Sequence, residues 1–167
     1  MIIEYATIEY GVKAPTRSNP SDAGLDIYAH LTEPVQINSL ENKMISTGLR
    51  FGVPHGYMLQ VCNRSSMGAK RSLVVGAHII DSGYDGEVFI DLHNVGNDPQ
   101  IICNGDKIAQ LILIPVVHFR PRHAPANNLY GNQGLTISNR GAGALGSTDT
   151  TTNDNIHPLS EMPGGGF

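Results

Sequence analysis

Glycine and proline break this chain so often that little room is left for a long helix. There are 19 glycines and 10 prolines in 167 residues, and the apolar residues between them fall into short runs rather than a 3.6-residue stripe. A glycine or proline inside a helix costs about 1 or 3 kcal/mol respectively. The punctuation therefore selects strands joined by turns. An α/β domain would need helical runs between the strands, and none of convincing length is present. The length suits one domain with a real core.

Strands are expected over Ile2 to Tyr10, Leu25 to Leu31, Met44 to Val53, Tyr57 to Cys62, Arg71 to Val75 and Lys107 to Phe119, the last bending or reaching a sheet edge at Pro115. Pro54-His55-Gly56 and Gly96 to Pro99 read as turns, and Arg64 to Lys70 as one short helical turn. From Gly76 to Asp91 the sequence reads GAHIIDSGYDGEVFID. Two β-prone flanks, Ala77 to Ile80 and Glu87 to Leu92, enclose turn residues, which predicts a hairpin. Asp81 follows two isoleucines, so partial desolvation where the strand leaves the core is expected. Alone, it is either an ordinary turn aspartate or a positioned base.

The net charge is −4 and like charges form no long block, which argues against a surface that tracks nucleic-acid phosphates. Cys62 and Cys103 are far apart and form no C-x-x-C, so they are expected as buried thiols in a reducing compartment. No signal-like apolar segment or run of 18 apolar residues is present, and the expectation is a soluble, cytoplasmic protein with neither nucleic-acid nor membrane partners.

Four further stretches hold polar groups that a plain β domain does not require. Asp22-Ala23-Gly24-Leu25-Asp26 places two acids around a glycine at a loop-to-strand junction. Arg64-Ser65-Ser66 joins a guanidinium to two hydroxyls where a helical turn begins, which is either a surface arginine beside a cap or an anion cradle. In Gly105-Asp106-Lys107-Ile108-Ala109-Gln110 the amide of Gln110 interrupts apolar residues, so protein or ligand must satisfy it. Arg140-Gly141-Ala142-Gly143-Ala144-Leu145-Gly146 contains a literal G-x-G-x-x-G, but the strand before it and the helix after it that dinucleotide binding needs are missing. What remains is a glycine-rich segment able to wrap phosphate, or a disordered Gly/Ser/Thr tail.

Taken in order, these five stretches resemble the five motifs of the trimeric dUTP pyrophosphatases, over roughly residues 5 to 148. The resemblance implies a single all-β domain of distorted jelly-roll, β-clip-like form over residues 1–139, a flexible phosphate-closing segment over 140–148, and a disordered tail over 149–167. It implies a homotrimer with sites at the subunit interfaces, hydrolysing dUTP to dUMP and pyrophosphate with Mg²⁺. Asp81 and Gln110 would be catalytic, Asp81 by orienting and deprotonating the water that attacks the α-phosphorus. Arg64, Ser65, Ser66 and Gln110 would contact the phosphates. Tyr84 would pack on the deoxyribose and exclude a 2′-hydroxyl, with His78 and Phe89 also at the substrate. Arg140, Leu145, Gly146, Ser147 and Thr148 would close over the nucleotide from another subunit. Asp26 would hold waters around an Mg²⁺ gripped mainly by the triphosphate, in keeping with that ion's reluctance to dehydrate. Backbone groups of splayed strands would read the uracil edge, against which the amino group of cytosine would set a donor on a donor.

The sequence departs from the family pattern at Leu145, where an aromatic residue normally stacks on uracil, at Ser66 and at His78. Ala77-His78-Ile79-Ile80-Asp81 also resembles the dCTP deaminases, which share the fold. Those enzymes use a glutamate where this chain has Asp91 and an arginine where it has Ala69. A third reading is a regulatory or binding module that keeps the shape.

Overall fold

The computed structural model describes residues 1–124 and 129. Every assigned element lies within one compact unit, Met1–Phe119. The expected boundary after residue 139, the closing segment and the tail all fall outside the described residues.

Eleven short strands and one helix are present among the described residues. The N-terminal strand is confined to β1 (Tyr5–Thr7), which pairs with β5 (Leu49–Phe51). A central sheet runs in the order β2 (Leu25–Tyr28), β11 (Lys107–Pro115), β6 (Tyr57–Cys62), β8 (Ile79–Ile80). A second sheet holds β4 (Asn42–Ser46), β9 (Phe89–Asn94) and β7 (Leu73–Val75) in that order. A second two-stranded pair joins β3 (Val35–Ile37) to β10 (Gln100–Ile102). Helix α1 (Ser65–Arg71) is the expected helical turn, and it ends at Ser72 in a left-handed conformation. All pairings are antiparallel.

Ile27, Ile37, Ile45, Leu49, Leu73, Ile90, Leu92, Ile102 and Ile108 are completely buried, and they meet in one cluster. These residues come from all four sheets, so the sheets share a single core. Each such side chain contributes roughly 1.5–3 kcal/mol of burial. The arrangement is all-β, as the punctuation predicts, and jelly-roll-like, as the resemblance implies.

Three differences from the expected elements are informative. The run Met44 to Val53 is not one strand: it breaks between β4 and β5 at Thr47 and Gly48, where Gly48 takes a φ of +66°. The two flanks of the expected hairpin do not pair with each other, because β8 adds to β6 while β9 lies between β4 and β7. The turn between them therefore crosses from one sheet to another. Within it Tyr84 N–H donates to the Asp81 carbonyl at 3.3 Å, and Gly83 supplies the positive φ, +85°, that a tight turn of this kind needs. Finally, β11 ends at Pro115 opposite Tyr57, and Val117 and Phe119 beyond it are exposed. The cysteines are both free thiols, Cys62 half-buried and Cys103 exposed rather than buried as expected. Burial pushes the Cys62 thiol up. Among the described residues no helix is long and apolar enough to cross a membrane.

Candidate functional site

The fold gathers three of the expected phosphate-side residues, Arg64, Ser65 and Gln110, around one pocket of about 370 Å³, lined also by Asp22, Gly24 and Asp26 among others. Asp26 is fixed by its backbone, which bonds to Thr16 on one side and lies in register with Gln110 on the other. Its carboxylate is the electrostatic centre of the pocket. Arg64 Nε donates to Oδ1 at 2.8 Å, and Lys107 Nζ to Oδ2 at 2.6 Å. Burial acts to raise the pKa of Asp26, but hydrogen bonds from Lys107 and Arg64, with their charges, outweigh it and hold the carboxyl below the ordinary aspartate range. The same contact holds the Lys107 ammonium above its ordinary value.

Arg64 precedes α1 with extended backbone and no side-chain cap, so its guanidinium is free to turn into the pocket. Besides Asp26, it reaches the Ser66 hydroxyl at 3.3 Å. Ser65 lines the pocket directly, whereas Ser66 is not among its lining residues. Gln110 Nε2 donates to the Asn63 carbonyl at 2.8 Å, which satisfies the amide within the protein. A Cβ at Gly24 would collide with Gln110 Oε1, and this explains a glycine at that junction.

The turn residues line a separate pocket of about 210 Å³ that includes Met44, Ile79, Asp81, Tyr84, Glu87 and Phe89. Asp81 follows the buried Ile80, but its own side chain is exposed, so the expected desolvation is absent in the single chain. Tyr84 folds back over Gly86, and its hydroxyl donates to the Glu87 carbonyl at 2.8 Å. His78 lines neither this pocket nor the first. Its Nδ1 bonds to the Val61 carbonyl at 2.9 Å while Val61 N–H donates to the carbonyl of His78, so its role here is to fasten the approach to β8 onto β6. Asp91 also stands apart, bonded to Asn42 and to His93 Nε2, each at 2.8 Å.

Asp26, Arg64, Ser65 and Gln110 thus form one group and Asp81, Tyr84 and Phe89 another, and their pockets share no lining residue. Arg140, Leu145, Gly146, Ser147 and Thr148 lie outside the described residues. Two participants had no assigned part in the sequence reading. Lys107 is marked in sequence only by its place just after the Gly105 turn. Asn63 accepts Val75 N–H on its side chain at 2.6 Å and Gln110 on its carbonyl, and nothing local signals this.

An all-β, jelly-roll-like chain with a cation-bearing polar pocket and a separate turn presenting a carboxylate and a phenol defines a class: a β protein whose candidate site residues fall in separate parts of one chain. The comparisons with known proteins narrow it. The dUTPase family model matches residues 11–147. A deoxyuridine 5′-triphosphate nucleotidohydrolase of Anaplasma marginale is 32% identical over 143 residues, covering 84% of this chain and 92% of that protein. One of Gloeobacter violaceus is 39% identical over 104 residues, covering 61% and 71%. Among solved structures, a dUTPase of Staphylococcus bacteriophage 80alpha with dUpNHpp superposes with a TM-score of 0.75 at 22% identity, covering 88% of this chain and 98% of that one. A dUTPase from phage phi11 of S. aureus, described with a structural Mg(II) ion, gives 0.69 at 23% identity and covers 75% and 97%. The chain belongs to the dUTPase family.

Proposed function

We propose that this protein hydrolyses dUTP to dUMP and pyrophosphate, working as a homotrimer. The observation that carries the reading is the grouping of Asp26, Arg64, Ser65 and Gln110 in one pocket and of Asp81, Tyr84 and Phe89 in another, in a chain of this family. A triphosphate needs cations and hydroxyls, and the first pocket offers both. A nucleoside needs a shaped, partly apolar wall and a group for the attacking water, and the second offers these. Neither group is a whole site. Each becomes one when the first pocket of one subunit faces the turn of the next, and Arg140, Leu145, Gly146, Ser147 and Thr148 of a further subunit close over the nucleotide.

In this reading Asp81 takes the proton of the water attacking the α-phosphorus, while Arg64, Ser65, Ser66 and Gln110 hold the phosphates. His78 acts by fixing the backbone that reads the base, and Phe89 walls the pocket. The donor set suits Mg²⁺ only as an ion carried by the substrate. No trio of His, Cys, Asp or Glu converges among the described residues, and both oxygens of Asp26 already meet cations. Each oxygen keeps a lone pair for a metal-bound water. When bound, the ion would neutralise charge on the phosphates.

The test is to incubate the purified protein with dUTP, dCTP, dTTP and UTP plus Mg²⁺ and to measure pyrophosphate and ammonia. Pyrophosphate from dUTP above all is expected, and Asp81→Asn should lower turnover by at least about a thousandfold while nucleotide binding persists. Absence of pyrophosphate from dUTP would sink the reading, and ammonia from dCTP would install the deaminase.

A further inference from the structure

We propose that Glu87 is a positioning residue that fixes the Tyr84 ring and thereby sets discrimination against ribonucleotides; this rests on the reading that Tyr84 faces the deoxyribose. A single oxygen of Glu87, Oε1, accepts three hydrogen bonds. They come from Ser46 Oγ at 2.5 Å, Gly48 N–H at 2.8 Å and Thr47 N–H at 3.2 Å. These donors form the corner between β4 and β5, where Gly48 has left-handed backbone and a Cβ would strike Val12. The corner has little freedom to move, and Glu87 is tied to it.

The next residue tightens the tie. Val88 N–H donates to the Leu49 carbonyl at 2.8 Å, and Thr47 Oγ1 donates to the Val88 carbonyl at 2.6 Å. The peptide that follows Glu87 is thus held from the same corner, and its carbonyl is the one that accepts the Tyr84 hydroxyl at 2.8 Å. Gly86 leaves the space for this, since a Cβ there would collide with the phenol of Tyr84. Tyr84 is 46% exposed, so neighbouring side chains do little to fix its ring. Excluding a hydroxyl by bulk requires a wall that does not yield. A ring on a loose carbonyl would give way to the extra oxygen, and the chain supplies rigidity through a carboxylate rooted in another part of the fold.

The experiment compares kcat/KM for dUTP and for UTP in native protein, Glu87→Gln, Glu87→Ala and Tyr84→Phe. Gln keeps an acceptor oxygen for the three donors, so its dUTP-to-UTP ratio should stay within about threefold of native, while Ala and Tyr84→Phe should lower the ratio about tenfold. Ile90→Val, which loosens the buried core, should leave the ratio unchanged, and that separates positioning from general destabilisation. Tyr84→Phe keeps the proposal testable if the alanine variant does not fold. An unchanged ratio in Glu87→Ala or Tyr84→Phe, or an equal fall in Ile90→Val, would overturn the proposal. Native protein that does not hydrolyse dUTP, or accepts UTP equally, would instead overturn the underlying reading and take the proposal with it.

Discussion

Replacing Asp26 with alanine should weaken the fold as well as the site, and the structure allows the size to be worked out. The side chain is 13% exposed, against 24% for Arg64 and 34% for Lys107. Removing one member of a fully buried ion pair costs roughly 3–5 kcal/mol, whereas an exposed pair is worth about 0–1 kcal/mol. Here the acid lies at the dry end and both cations reach water, so a loss of about 2 kcal/mol is expected. In a folded unit of this size that lowers Tm by about 6–10 °C. Urea unfolding at one fixed protein concentration measures the loss, because an assembling chain's stability depends on concentration. The pH dependence adds a second readout. The pKa of Asp26 is depressed on folding, so its contribution is fully present above the unfolded value of about 3.9 and disappears as pH falls through the folded value. The difference between native protein and Asp26→Ala should be flat from about pH 5 to 8 and shrink below about pH 4. A loss under about 0.5 kcal/mol at neutral pH, or a difference that grows on acidification, would refute the argument.

Two smaller effects follow from neighbouring geometry. Asp91→Asn should cost about 1 kcal/mol near neutrality. Burial pushes the carboxyl of Asp91 up, but bonds from Asn42 and His93 bring it below its ordinary value, so this cost too should fade as acid titrates the native protein, as pH-resolved urea curves would reveal. Gly24→Ala should push the Gln110 amide off the Asn63 carbonyl, lowering stability by about 1 kcal/mol and raising KM for dUTP; unchanged values for both would show that the amide has another place to go.

How much of this was legible in the sequence depended on the range of the forces involved. Strand β6 matches the expected Tyr57 to Cys62 because alternation and the Pro54 turn act locally. The break inside Met44 to Val53 was hidden because an acceptor 40 residues away, on Glu87, caps the N–H of Thr47. Strands β3 and β10, of three residues each, are too short to show a period. The crossing of the turn between sheets was illegible for a related reason: β8 and β9 are each satisfied by strands distant in sequence, and no local pattern says that adjacent strands decline to pair. In the candidate site, only three dimensions reveal that Lys107 and Arg64 share one carboxylate.

The two aspartates most prominent in the sequence differ in a way that separates structure from chemistry. Asp26 is absorbed into the fold, and any change there alters both packing and site. Asp81 is exposed, and among the described residues its carboxylate makes no hydrogen bond; only its backbone carbonyl is used, by Tyr84 N–H. A substitution that keeps the shape and removes the charge therefore breaks no side-chain hydrogen bond among the described residues. Exposed changes of this kind usually stay within about 0.5 kcal/mol, so Asp81→Asn should leave Tm within about 2 °C while turnover collapses. Among the described residues the carboxylate thus has no structural use, which fits the catalytic part proposed for it. If Asp81→Asn destabilises the protein by as much as Asp26→Ala, the carboxylate has a structural partner after all, and its loss of turnover could no longer be assigned to chemistry.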